Sequence, residues 1–212
     1  VFNEFKTGTG KMRLVTDDVF SGTAAMGVTP LQREAATVPG WAFEIREKPG
    51  PNQYRYLQFA WKKKGGGSAL LEIAASGKWP EARVAKGRYV AGPNTTGWAA
   101  IEVDSAAPEG WTLVVCDLWK DMGDFLLTGL APTCDGGAEV LFDRVLLAAD
   151  RNAIESYIPG SGTLAYADPK RRIGDAWKDE QNPIRKIWRG ERLDLWSFRK
   201  PVRTDPSHAC LL

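Results

Sequence analysis

The chain has 212 residues, a formal net charge of +2 at neutral pH, and 43% hydrophobic side chains. That length suits one domain plus an extension, and that apolar content is enough for a packed core. The balanced charge gives no bulk basic field for nucleic acid, and no run of about 18 apolar residues is present to span a bilayer.

Up to Phe20 the one strand pattern is Met12–Val15, and Asp17-Asp18 then leads into a tight turn at Phe20-Ser21-Gly22. Residues 24–29 alternate and stop at Pro30, and 31–40 read as loop. Residues 41–47 alternate well, with Trp41, Phe43 and Ile45 on one face and Glu44 and Arg46 on the other. Pro49-Gly50-Pro51-Asn52 is a strong turn signal. Residues 54–62 form the clearest strand: Leu57, Phe59 and Trp61 are expected to point inward, and Tyr54, Tyr56 and Gln58 outward. Lys63 to Gly67 reads as a flexible basic turn. Further strands are predicted over 69–75, Arg88–Ala91, 98–103, 111–118, 125–129 and 140–147.

That makes eight to ten strands with turns every eight to twelve residues, and no stretch before residue 150 has a helical period. The spacing predicts an all-β antiparallel sandwich over 1–150 rather than βαβ units. Trp41, Phe59, Trp61, Trp111 and Phe142 are its expected core aromatics.

From residue 151 to 212 the strand pattern fades into a basic, Trp-rich strap or linker. The first 150 residues carry 16 basic and 18 acidic side chains, and the remainder 12 and 8. Short helices are predicted over 175–181 and 183–192, the second with Pro183 in its first turn. Trp177, Trp188, Trp196 and Phe198 are too apolar to stay wet, so the tail is expected to pack on the sandwich or on a neighbour.

Three cysteines are present, with no metal-binding spacing. Cys116 falls in a predicted strand and Cys134 in a predicted turn, leaving either a disulfide between them or two thiols. His208 is the lone histidine and lies near the end of the sequence, so a Ser-His or Cys-His pair lacks a base. Glu139 and Asp143 share a strand face but sit about 13 Å apart at strand spacing, too far for a glycosidase pair. Asp117 and Asp121 straddle a predicted strand end and stay open as carboxylates of a hydrolase. Asn94-Thr95-Thr96 is a glycosylation sequon. The sequence starts without Met or a signal-peptide core, as a mature or excised product would, and its nine tryptophans among many Gly and Pro lean toward an extracellular or periplasmic protein.

The phrases YRYLQFAWKKKGGGSALLEIA, RYVAG, WTLVVCDLWKDMGDFLLTGL, a DGG turn and LFDRVLLA follow one another, and LDLWSFRKPVR comes in the tail. Together they resemble β-sandwich domains embedded in large secreted bacterial proteins of the planctomycete cytochrome-domain type. The likeness covers most of residues 17–205. It implies a jelly-roll, carbohydrate-binding-module-like unit of an exported multidomain protein, next to a haem-bearing or enzymatic region. This chain lacks CxxCH, so no haem is expected within it.

Under that resemblance a polysaccharide or glycan is the expected partner. Tyr54, Tyr56 and Gln58 would supply an aromatic floor, with Trp79 and Trp98 beside turns where binding residues gather. A structural Ca²⁺ is also implied by the resemblance, with Asp17 or Asp18 before the first strand pair and Asp143 in the last strand as its carboxylates. The alternative is an assembly domain that docks a haem-containing or enzymatic partner through its C-terminal tail.

Overall fold

The computed structural model describes residues 11–30, 35–155 and 192–194. Its elements run β1 (Met12–Val15), β2 (Ala25–Val28), β3 (Phe43–Ile45), β4 (Gln53–Tyr54), β5 (Tyr56–Lys64), β6 (Ser68–Ala75), β7 (Arg88–Ala91), β8 (Ile101–Asp104) and β9 (Thr112–Asp117). Then come α1 (Leu118–Met122), β10 (Phe125–Asp135), β11 (Glu139–Ala148), α2 (Arg151–Glu155) and β12 (Arg192–Asp194).

Two sheets form a sandwich. One has the order β1-β2-β11-β5-β9, with β12 also paired to β11, and the other has the order β4-β3-β10-β6-β7-β8. Eight strands make the framework: β2, β3, β5, β6, β7, β9, β10 and β11. Numbered along the chain, they lie 1-8-3-6 in the first sheet and 2-7-4-5 in the second. Every neighbour in those two quartets is antiparallel. This is jelly-roll connectivity, in which consecutive framework strands cross between the sheets except for the β6–β7 hairpin. Among the described residues only β4 on β3 and β8 on β7 add parallel edges.

The core lies between the sheets. Leu57, Phe59 and Trp61 of β5 meet Val140, Phe142, Val145 and Leu147 of β11 and Leu71 and Ile73 of β6. Phe59 and Trp61 pack edge to face at 5.0 Å between ring centres, and Phe142 lies 6.0 Å from each. The alternation over 41–47 holds as well: Trp41, Phe43 and Ile45 are buried and Arg46 is not. Trp111 departs from its core expectation. It is half-buried on the outer face, packs on Phe20 at 5.9 Å and donates from Nε1 to Asp18 at 2.9 Å.

Several predicted boundaries move for identifiable reasons. Residues 54–62 are not one strand. Tyr54 ends β4 in one sheet, Tyr56 starts β5 in the other, and Arg55 is the crossing residue. Lys63 and Lys64 extend β5 rather than opening a turn, which is left to Gly65–Gly67. β10 runs through Pro132 to Asp135. It pairs with β3 over Phe125–Leu127 alone, so its far half has a ladder on the β6 side and the missing proline N–H interrupts nothing on the other. Cys134 therefore lies in a strand, in the sheet opposite Cys116 of β9, and both are buried free thiols.

β11 carries a bulge between Asp143 and Leu146, with Arg144 at φ 52°. Asp143 follows Leu141 onto the outer face by plain alternation, and the extra residue returns Val145 to the core. The tail also reaches the sandwich. Ala153 and Ile154 of α2 bury against Ala148, and β12 pairs with Leu146–Ala148. The helices predicted over 175–181 and 183–192 lie outside the described residues, apart from Arg192, which opens β12; His208 and Cys210 lie outside them too. Among the described residues no helix is long and apolar enough to cross a membrane.

Candidate functional site

The residues expected to form an aromatic floor are not brought together. Tyr54 is 4% exposed, and its ring meets Phe43 edge-on at 5.8 Å within the core. Gln58 is 2% exposed on the outer face of its sheet. Tyr56 shares that face but packs against Ala148, Ala153 and Ile154, beneath the first residues of the tail. The outward expectation fails because the pleat is broken at Arg55 and because α2 packs over the outer face at Tyr56. Trp79 is half-buried beside the turn closed by the Ala75–Lys78 pair. Trp98 is half-buried with the Arg88 guanidinium 4.9 Å above its ring, which ties it to the loop that roofs the second sheet.

Asp17, Asp18 and Asp143 are likewise separate. Asp18 faces the Nζ atoms of Lys62 at 3.0 Å and Lys64 at 3.1 Å and accepts from Trp111. Burial of its carboxyl opposes ionisation, but these donors outweigh that and hold its pKa below the ordinary value. Asp143 accepts the backbone N–H groups of Phe20 at 2.9 Å and Ser21 at 2.7 Å on one oxygen and that of Arg144 at 2.6 Å on the other. Asp17 is exposed. Among the described residues no group of three or more His, Cys, Asp or Glu side chains gathers as a metal would need.

A different surface is concave. At one end of the sandwich a cleft of about 670 Å³ is lined by Arg46, Glu47, Lys48, Gln53, Trp119, Gly123 and Asp124. One wall comes from the segment joining β3 to β4 and the other from α1 and the turn after it. The sequence explains this wall. Asp117 ends β9 and accepts the Lys120 backbone N–H at 3.1 Å, which caps a five-residue helix. Gly123, at φ 80°, stops it by donating its N–H to the Trp119 carbonyl. The strand predicted through Leu118 is thus cut at Asp117, and Trp119 is delivered to the rim.

Three interactions fix α1 and its indole. Arg55 forks onto Asp117, with Nη2 to Oδ2 at 2.7 Å and Nε to Oδ1 at 2.9 Å, and donates from Nη1 to the Glu47 carbonyl at 2.9 Å. Its guanidinium lies 5.1 Å from the Trp119 ring and 5.4 Å from that of Tyr56. Trp119 Nε1 donates to Asp124 Oδ1 at 2.9 Å. From the opposite sheet Tyr89 donates to Asp121 at 2.7 Å. Burial of the Asp117 carboxyl raises its pKa, but the Arg55 hydrogen bonds and the Lys120 N–H more than reverse this, so it stays below the usual carboxylate range. Burial shifts the Tyr89 phenol far above its ordinary pKa and pushes the nearby Cys116 thiol up to about 12. Neither is a nucleophile at neutral pH. Asp117 and Asp121 are both committed to protein donors.

No site role falls on Trp119, Arg46, Glu47 or Lys48 from the sequence, and the stretch from Asp121 to Asp124, a candidate Ca²⁺ ligand pair by sequence, reads as a turn. A signal for the Trp119 wall is Asp117, a capping residue followed by Leu-Trp-Lys-Asp-Met before a glycine, which marks a short helix rather than a strand end; Arg46, Glu47 and Lys48 carry no such signal. No protein-family model matches this chain, and no curated protein matches it.

Proposed function

We propose that this chain is a non-catalytic glycan-binding jelly-roll domain of an exported multidomain protein, and that it takes its ligand in the Trp119 cleft. The observation that carries this reading is Trp119 itself: an indole on the wall of an open cleft, clamped by Arg55 and tied at Nε1 to Asp124. A preoriented aromatic ring stacks on the apolar face of a pyranose, and the carboxylate, amide and ammonium groups around it suit hydroxyls. One ring and a few polar groups supply only a few kcal/mol before ordering costs, so affinity is modest. Polysaccharide retention by the purified chain tests this. Trp119→Ala should weaken it at least tenfold, and a variant that retains polysaccharide as well as the wild type rules the cleft out.

A second reading, an assembly domain that docks a haem-containing or enzymatic partner through the tail, draws support from β12, which seats part of that tail on β11. Truncation after Glu155 separates the two readings. Loss of complex formation with glycan retention intact favours assembly; loss of neither leaves the tail without that role.

A further inference from the structure

The charges lining the cleft bear on what kind of glycan it takes, an inference that rests on the glycan-binding reading above. Arg46 donates to the Ile45 carbonyl at 3.1 Å and pairs with Glu44 at 3.1 Å. Arg55, behind the indole, is consumed by Asp117 and the Glu47 carbonyl. Gln53 donates to Glu44 and accepts from the Gly50 N–H. The groups on the walls outside these pairs are the Glu47 carboxylate, the second oxygen of Asp124 and the Lys48 ammonium. With Arg46 neutralised by Glu44 at its side, two anions against one cation leave no surplus positive charge for a carboxylate or sulfate. A ligand anion placed there would face Glu47 and Asp124 at close range, and like-charge juxtaposition is strongly disfavoured in recognition. An uncharged polyol meets no such obstacle. Its hydroxyls donate to Glu47 and Asp124 and accept from Lys48, while a C–H face covers Trp119.

We infer that the cleft selects neutral polysaccharides over uronate-containing or sulfated ones. Affinity electrophoresis of the whole chain tests this in gels cast with neutral glucan, mannan, xylan or galactan, and in parallel with polygalacturonate, alginate or a sulfated galactan, at low and high salt. Expected is retardation by a neutral polymer that is insensitive to salt and at least tenfold weaker in Trp119→Ala. Glu47→Lys, a surface change that leaves the core untouched, should create salt-sensitive retardation by polygalacturonate. Wild-type retardation by an acidic polymer that depends on Trp119 and fades with salt overturns the selectivity while leaving glycan binding in place. Failure of Glu47→Lys to gain acidic binding overturns the charge account. Absence of any Trp119-dependent retardation removes both the selectivity and the glycan reading on which it rests.

Discussion

Arg88→Met should unfasten the roof of the second sheet. Arg88 and Glu72 are both fully buried, and their charges meet at 2.7 Å. The remaining Arg88 donors reach the carbonyls of Ala99 at 2.6 Å and Pro80 at 3.1 Å, and the cation lies over Trp98. The side chain thus pins both connections of its strand, β6–β7 at Pro80 and β7–β8 at Trp98 and Ala99, onto the sheet. Removing it leaves Glu72 buried without its counter-charge, which costs about 3–5 kcal/mol. For a folded unit of this size that corresponds to a fall of roughly 6–20 °C in melting temperature. Replacing both residues by Met removes the stranded charge along with its partner, so the double variant should be more stable than Arg88→Met, despite carrying one more substitution. Thermal and urea unfolding measure the cost. Limited trypsin digestion reports the β6–β7 connection, because Arg83 and Lys86 are exposed within it. A fall under about 2 °C in Arg88→Met, with unchanged cleavage at those sites, would refute the pinning role.

Two further outcomes follow from the geometry. Gly137 sits at φ 66°, and a β-carbon there would lie 2.4 Å from the Gly65 carbonyl oxygen and 2.6 Å from Lys63 Nζ; Gly137→Ala should cost on the order of 2 kcal/mol or more in urea unfolding, whereas Gly97→Ala, with open space around it and a similar φ of 76°, isolates the conformational share. Alkaline titration should destabilise the fold from about pH 9, since burial raises Cys116 to about 12 and Cys134 to about 11 from an ordinary value of 9.0. The unfolded chain gives up these protons first, so the stability they contribute is complete below pH 9 and is lost as pH climbs toward the folded values, by about 1.4 kcal/mol per pH unit per thiol. Burial lowers Lys63 and therefore acts in the opposite sense. Burial raises Tyr89 in the same sense and it touches Cys116, so Cys116→Ala is compared in a Tyr89→Phe background: the variant lacking the Cys116 thiol should lose less stability between pH 9 and 12, and parallel curves would show that this thiol is not so shifted.

Period-two alternation with frequent turns was enough to establish an all-β sandwich, and the apolar faces of 41–47 and 57–61 were legible because each strand there keeps one face in the core. The inward triad Leu57, Phe59 and Trp61 needs nothing beyond its neighbours in sequence. The fate of Tyr54 and Tyr56 was different in kind. Their alternation reads the same whether the strand continues or crosses between sheets at Arg55, and a local pattern carries no information about which sheet a residue joins. Nor can it show that a sheet's second face is covered, because the cover of Tyr56 comes from chain about 90 residues further on. The cleft is a product of the same long-range pairing. Arg55 and Asp117 are 62 positions apart, and they meet because β5 and β9 are neighbours in the sheet. Composition and periodicity determined that there would be two packed layers; the crossing of the chain between them decided which aromatic ring met water.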